Sequence, residues 1–448
     1  MGKKNKKKCL KVGFIALGCP KNTVDSEKML AKIAEAGMLI TAEIEQADVI
    51  IINTCGFIAP AKDEALEEIR FAVECKKAGG VKKVIVTGCL AQRMGKEMLE
   101  EISGIDAVIG LGQRDNIAEI IQKTVKSNNA ALYLEDADDS DLDDSTRLLI
   151  TPSHSAYLRI SEGCDHKCSF CTIPAIRGPF KSKPENIIMA EAKQLCDSGV
   201  AELNIIAQDT AYYGRDLNIK NGLAKLIRKI EEMPGTKWIR LMYLYPAGIT
   251  DELIRTVAES KKILHYFDMP IQHINDDILK NMRRPERKEN ICGLIEKLKK
   301  EIGDIALRTT VIVGFPGETD EQFEELVDFI KWARFDALGC FSYYAEEGTE
   351  AAEMAGQVRE EIKKERVEKL MLAQQEIAFE KNRERIGDEF ICLVDSVDED
   401  GQYWGRSYAQ AMDIDSLCLI GNCSAELGQF VKVKVTGTKD YDLVVEQI

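Results

Sequence analysis

Short apolar runs alternate with stretches of helical periodicity along most of the chain. Residues 10–17 form an apolar run rich in β-formers that ends at Gly18-Cys19-Pro20. A helix is expected from about Thr23, with Thr23 or Asp25 as its cap. The pattern repeats at 47–52, which ends in Asn53-Thr54-Cys55-Gly56, and at 83–87, which ends in Gly88-Cys89. Strands alternating with helices predict a parallel sheet, and such sheets bind ligands outside the carboxyl ends of their strands. Cys19, Cys55 and Cys89 are therefore expected along one edge. A single thiol there reads as a packed core residue, whereas three at equivalent places point to a cluster site.

The run at 135–144 is acidic and packs poorly, so it marks a domain boundary, although a solvated loop would look the same. Beyond it, apolar segments at 156–160, 202–207, 238–244, 264–268, 307–313 and 338–342 are separated by amphipathic helical stretches. Six β/α units make a partial TIM-like barrel. Barrel enzymes carry their chemistry on the loops after the strands, where Cys164, Gln208, Asp209, Tyr245, His273, Glu318 and Glu346 fall. A long helix is expected at 359–385, with Gly387 as its stop. Strand-like runs at 390–394, 403–406, 430–435 and 443–445, punctuated by glycine, then predict a small antiparallel β-barrel. The expected organisation is an N-terminal parallel α/β domain (1–134), an acidic linker (135–149), the partial barrel with its connecting helix (150–386) and the small barrel (387–448).

At 448 residues the chain is too long for one ordinary core, and its 45% hydrophobic share is that of a globular protein. No run of eighteen apolar residues and no signal peptide is found, so a cytoplasmic protein is expected. Fourteen cysteines in a chain of this length do not read as a disulfide framework; reduced thiols, several of them metal ligands, fit better. The formal net charge of −15 argues against general wrapping of nucleic acid, which needs a Lys/Arg surface. In the small barrel, twelve Asp/Glu outnumber four Lys/Arg. Such a surface repels RNA and attracts a basic protein.

The densest chemistry lies in Cys164-Asp-His-Lys-Cys168-Ser-Phe-Cys171, with the spacing C-x3-C-x2-C. Thiolates favour zinc, copper(I) or iron–sulfur clusters, but structural zinc wants four protein ligands and no fourth completes a set here. His166 would be cramped on the same metal as its flanking cysteines. A 4Fe-4S cluster on three thiols keeps one iron open for chemistry. The remaining reading is three packed thiols.

This loop, with Phe170 at its aromatic position, resembles the signature of radical S-adenosylmethionine enzymes. The resemblance implies that the open iron chelates S-adenosylmethionine and that electron transfer cleaves it to a 5′-deoxyadenosyl radical. A cofactor must supply such a radical, since no side chain abstracts hydrogen from an unactivated carbon. The stretch Ile312-Val-Gly314-Phe-Pro-Gly-Glu318 is similar to that family's adenine-contacting strand and turn, and Glu202 falls where its methionine-amino contact region would be. With Gly18-Cys19-Pro-Lys-Asn22, Asn53-Thr54-Cys55 and Gly88-Cys89 upstream, nearly the whole chain resembles a methylthiotransferase. That implies a second 4Fe-4S cluster on Cys19, Cys55 and Cys89, which binds the sulfur to be delivered, and a C-terminal TRAM domain. It also implies that one S-adenosylmethionine methylates the sulfur and another supplies the radical.

The family divides between enzymes for a tRNA adenosine and one for an aspartate of small-subunit ribosomal protein twelve. Phe170-Cys-Thr-Ile-Pro-Ala-Ile-Arg177-Gly178, Tyr243-Leu-Tyr-Pro246, Met269-Pro-Ile-Gln-His273 and Glu346-Glu-Gly-Thr349 resemble the protein-modifying branch. The segment from Gly405 to Ser416 departs from that branch, with Met412 for proline, Asp413 for glutamate and Ser416 for glycine, which bears on substrate docking. The expected cofactor or substrate contacts are Phe170, Arg177, Glu202, Gln208, Asp209, Tyr245, His273 and Glu318. The expected metal ligands are Cys19, Cys55, Cys89, Cys164, Cys168 and Cys171. An electron donor such as flavodoxin or ferredoxin and a sulfur donor are implied partners, with no membrane, and with nucleic acid disfavoured. The tRNA adenosine enzyme is the alternative.

Overall fold

The computed structural model describes residues 9–135 and 142–448; the N-terminal lysine tract and most of the acidic run lie outside them. The chain divides into two compact units. The first comprises the chain up to Ile150 with Glu162–His166 and Cys171–Lys183, and the second comprises Thr151–Ser161, Lys167–Phe170 and Pro184–Ile448.

The first unit is built on strands β1 (Lys11–Ala16), β2 (Leu39–Thr41), β3 (Val49–Thr54), β4 (Lys83–Gly88), β5 (Ala107–Ile109) and β6 (Ala131–Tyr133). All pair in parallel, in the order β2-β1-β3-β4-β5-β6. Helices α1 (Pro20–Glu35), α2 (Ala59–Lys77), α3 (Cys89–Met94), α4 (Lys96–Glu101) and α5 (Ile117–Lys126) complete the unit, with α6 (Ile173–Arg177) and the short strand β9 (Lys181–Ser182). Because β3 is covered on both faces it reads as unbroken apolar sequence: Ile50 and Ile52 pack towards α2 and α3, while Val49 and Ile51 pack towards α1 and α5. Helix α1 begins earlier than expected, because Pro20 takes its first turn and Cys19 is the N-cap, leaving Thr23 and Asp25 inside. Strands β2, β5 and β6, of three residues each, were not anticipated and are too short to show a period.

In the second unit β7 (Ser155–Arg159), β10 (Glu202–Ile206), β11 (Trp238–Leu241), β12 (Ile263–Asp268), β13 (Ala306–Val313) and β14 (Ala337–Ser342) form a six-stranded parallel sheet in sequential order, the open half-barrel expected. The two-residue strand β8 (Ser161–Glu162) follows β7 in the chain. Helices α7 (Glu185–Asp197), α8 (Gly222–Glu231), α9 (Asp251–Glu259), α10 (Asp276–Asn281), α11 (Lys288–Ile302) and α12 (Asp320–Ala333) connect the later strands, and α13 (Glu360–Glu384) leads out.

The C-terminal strands β15 (Glu389–Val397), β16 (Tyr403–Arg406), β17 (Cys418–Gly421), β18 (Phe430–Lys439) and β19 (Asp442–Gln447) close into a barrel. It is not wholly antiparallel: β17 and β19 run parallel. Five strands cannot alternate direction around a closed ring, so one parallel pair is required. Cys392 and Cys418 lie in its core.

This barrel belongs to the same compact unit as the half-barrel, joined to it by buried charge. Glu202, first residue of β10, accepts from Arg240 Nε (3.0 Å), Ser155 Oγ (2.9 Å) and Arg406 Nη2 (2.7 Å). Arg406 also forks onto Asp395. Asp415 accepts from Tyr266 Oη (2.7 Å) and Arg308 Nε (3.2 Å), and Tyr157 Oη donates to Asp413 (3.2 Å). The atypical 405–416 segment is thus keyed into side chains of β7, β10, β12 and β13. Of its departures from the family pattern, Asp413 takes part in this joint.

Candidate iron–sulfur and S-adenosylmethionine sites

In the first unit the order β1-β3-β4 makes three neighbouring strands end in Cys19, Cys55 and Cys89. The reversal of winding between β1 and β3 opens the crevice that doubly wound sheets use for ligands. Asn22 Nδ2 ties the strand ends together, donating to Leu17 O (3.1 Å) and Thr54 O (2.9 Å). Asn53 Nδ2 donates to Asn22 O (3.0 Å) and Ser26 Oγ (2.8 Å). Two turns require glycine. Gly18 has φ +94° with a Cβ position 2.8 Å from Cys55 Cβ, and Gly88 has φ +95° with its Cβ position 2.3 Å from Asn53 Oδ1.

The three thiols perturb one another. Cys89 is pushed up to about 12 by burial, against the pull of Arg177, with Cys19 and Cys55 adding to the rise. Cys55 is raised by burial, Cys19 adding to it. Cys19 is lowered: burial raises it, but Lys21, Arg177 and the N–H groups of Asn22 and Lys21 outweigh that, as expected at a helix N-terminus. Among the described residues no group of three His, Cys, Asp or Glu side chains could hold one metal ion. A polynuclear cluster binds each thiolate to a different iron, so its ligands need not meet at a point. Three thiols at one sheet edge, with cationic and N–H donors around them, fit that demand.

Arg177, expected to contact S-adenosylmethionine or substrate, lies in this unit and belongs to the thiol site. Its Nη2 donates to Asn22 Oδ1 (2.6 Å), Asp25 Oδ2 (3.0 Å) and Cys89 Sγ (3.3 Å), and Nη1 donates to Glu162 Oε1 (3.0 Å). The ends of the cysteine loop also lie in this unit. Cys164 N donates to Gly178 O (3.2 Å), Phe180 N to Asp165 Oδ1 (2.9 Å), and Ile173 N to Cys171 Sγ (3.5 Å).

The middle of the loop belongs to the second unit. Ser169 N donates to Met282 O (3.2 Å) and its carbonyl accepts from Ala351 N (2.8 Å). Phe170 packs against Ile278, Met282, Phe315, Tyr343 and Ala351. Burial raises Cys168, while Arg284, which hydrogen-bonds its sulfur, pulls the other way. The Arg284 guanidinium lies 3.8 Å from the Tyr245 ring centroid and donates to Pro270 O (2.7 Å). Tyr245 in turn meets Tyr212 edge-on at 6.1 Å. Arg284 was missed in the sequence, where only its position before Pro285 sets it apart.

The other expected residues separate into two groups. Gln208, Asp209, Tyr245 and His273 all follow the carboxyl ends of β10, β11 and β12. Asp209 is buried and accepts from Ala211 N (3.0 Å). Burial lowers His273 to about 3, so it is neutral; its Nδ1 accepts from Asn275 N (3.0 Å), which leaves the proton on Nε2. Glu318 fastens the turn after β13, accepting from Gly314 N (2.6 Å), Phe315 N (3.1 Å) and Arg366 Nη1 (3.0 Å). Burial pushes it up to about 7 against those donors. The two backbone bonds hold the turn that carries Phe315. Glu202, by contrast, sits at the amino-terminal end of β10 with both oxygens engaged, away from the strand ends that carry the other candidates. Positive-φ backbone at Tyr243 (+59°) and Gln272 (+68°), just past β11 and β12, was also unanticipated. Such strain in non-glycine residues gathers at functional sites.

An open parallel half-barrel with a C-x3-C-x2-C loop following its first strand defines a radical S-adenosylmethionine enzyme. Residues 158–330 match the radical SAM superfamily, 11–110 the family described as uncharacterized protein family UPF0004, and 386–448 the TRAM domain. In fold the chain is similar to the radical S-adenosylmethionine methyltransferase TsrM from Kitasatospora setae, with a TM-score of 0.55 and 14% identity, covering 74% of this chain and 72% of that one. In sequence it is 44% identical to the ribosomal protein uS12 methylthiotransferase RimO of Citrifermentans bemidjiense, over 97% of this chain and 98% of the relative. It is 45% identical to that of Desulforamulus reducens, over 97% and 99%. The chain belongs to the RimO family of ribosomal protein uS12 methylthiotransferases.

Proposed function

We infer that this enzyme places a methylthio group on the β-carbon of an aspartate of ribosomal protein uS12, with two 4Fe-4S clusters and S-adenosylmethionine as cofactors. The observation that carries the reading is the joint presence of two cysteine sets: three at neighbouring strand ends of the first unit, and three in the loop after β7. Cys164, Cys168 and Cys171 hold the radical cluster; Cys19, Cys55 and Cys89 hold the auxiliary one. When bound, the clusters and S-adenosylmethionine supply the electron, the radical and the methyl group, and carry the sulfur.

The chain's own residues prepare the ground. Asn22 and Asn53 fix the strand ends so that the auxiliary thiols keep one spacing. Phe170 and Phe315 build an apolar wall that excludes water beside the loop, and Arg284 places a buried cation on Cys168. Tyr245, Gln208, Asp209 and neutral His273 offer polar contacts at the mouth of the half-barrel without adding a charge from histidine. The acidic C-terminal barrel suits a basic ribosomal protein and disfavours tRNA. Action on a ribosomal protein fits a cytoplasmic enzyme, and flavodoxin or ferredoxin as electron donor with a separate sulfur donor completes this reading.

Mass spectrometry after anaerobic reaction with uS12 and with tRNA tests this. A methylthio group on the uS12 aspartate is expected; a methylthioadenosine with uS12 untouched would establish the tRNA reading instead. Failure of the reduced enzyme to release 5′-deoxyadenosine would exclude radical chemistry altogether.

A further inference from the structure

Arg177 is 2% exposed and carries four acceptors at hydrogen-bond distance, three of them on one nitrogen. Two carboxylates, Asp25 and Glu162, are enough to neutralise and orient a buried guanidinium. A second arginine, Arg114, pairs with the same Asp25 and stands 4.0 Å from Glu162, so charge in this ring is already balanced. The additional donation from Nη2 to Cys89 Sγ at 3.3 Å is therefore not needed to satisfy the ring. Asn22, which ties β1 to β3, accepts from the same nitrogen and so aims it at the thiol. Arg177 ends α6, six residues after Cys171, so the loop of one cysteine set delivers the donor to the other.

We propose that Arg177 is a positioning residue of the auxiliary site, whose N–H···S bond to Cys89 sets the reduction potential of the cluster there. A donor to a ligand sulfur stabilises the extra negative charge of the reduced cluster and so raises its potential. The proposal rests on the assignment of Cys19, Cys55 and Cys89 to a cluster. It moves Arg177 from the contacts of S-adenosylmethionine to the tuning of the second centre.

The test uses the full chain carrying Cys164→Ala, Cys168→Ala and Cys171→Ala, reconstituted with iron and sulfide, so that one cluster is read alone by EPR-monitored redox titration. Arg177→Gln is expected to shift the midpoint negative by at least tenfold in the reduction equilibrium, 59 mV for a one-electron couple. Arg177→Lys, which keeps the charge and fits the pocket less well, is expected to shift it less and serves where the glutamine variant fails to fold. Asp25→Asn breaks the same ionic ring while leaving the donor; losing a nearby negative charge should move the midpoint the other way. An unchanged midpoint in the folded Arg177 variants, or a negative shift in Asp25→Asn equal to theirs, overturns the proposal. Absence of iron from the triple-cysteine background overturns the ligand assignment itself, and the role of Arg177 with it.

Discussion

Glu202 and Arg406 meet at 2.7 Å with both side chains buried, one from the first position of a half-barrel strand and the other from the C-terminal barrel. Arg240 holds the other Glu202 oxygen, and Ser155 adds a third donor. The pair therefore joins the two barrels at the amino-terminal end of β10.

Glu202→Gln should leave S-adenosylmethionine affinity unchanged while lowering stability. Burial works to raise the Glu202 carboxyl, but Arg406 and Arg240 outweigh it and hold the folded carboxyl at about 2, below its ordinary value of 4.5. The charged form is thus favoured by folding. Its contribution, about 3 kcal/mol at 1.36 kcal/mol per unit, is complete above pH 4.5 and is lost as pH falls towards 2. Denaturant titrations at pH 7 and at successively lower pH should show the gap between native enzyme and variant closing over that window. A tenfold loss of S-adenosylmethionine binding in the variant would return Glu202 to the cofactor site.

Gly88→Ala should empty the auxiliary site and spare the radical loop. The new methyl would meet Asn53 Oδ1 and the backbone of Thr54, which close on β3 and cannot give way cheaply. A residue forced to φ +95° also costs about 1–3 kcal/mol. Iron per chain is expected to fall from about eight to about four. Reductive cleavage of S-adenosylmethionine should survive while methylthiolation is lost.

The strands that carry the cysteines could be read from sequence because each combines a β-rich apolar run with an abrupt glycine-containing end, as in residues 10–19 and 83–89. What stayed hidden depends on tertiary pairing. Glu202 opens an apolar run in the sequence, and nothing local says that it meets Arg406, 204 positions later. Arg177 lies within the stretch that suggested a cofactor contact, yet its partners Asn22 and Asp25 are over 150 residues upstream. The parallel closure of the small barrel follows from strand count, and β17, four residues around Cys418, carried too little pattern to be counted.

Arg284→Met should weaken the radical centre selectively. The variant keeps an apolar stem against Tyr245 but removes the donor and the charge beside Cys168. Loss of such a supporting partner typically costs 10–100-fold in metal affinity or activity. The rate of 5′-deoxyadenosine release should fall by about that factor, with the auxiliary cluster's signal unchanged. Unaltered release would show that Arg284 serves only to pack Tyr245.

Substrate choice can be tested on the hairpin between β15 and β16, where Glu399 and Asp400 are exposed and lie far in sequence from the joint residues. Surface charge acts through encounter and is screened by salt, so its removal should raise KM more than it lowers kcat. The double charge reversal Glu399→Lys and Asp400→Lys is expected to raise KM for uS12 about threefold to tenfold at low salt, with the effect shrinking as salt is added. S-adenosylmethionine cleavage without uS12 should be unchanged, since neither residue approaches the half-barrel loops in the chain. If the acidic barrel faces a basic protein, the reversal also strengthens non-specific tRNA binding, which gel-shift titration would read. An unchanged KM for uS12 at low salt would remove this hairpin from the docking surface and direct the search to the acidic residues elsewhere on the barrel.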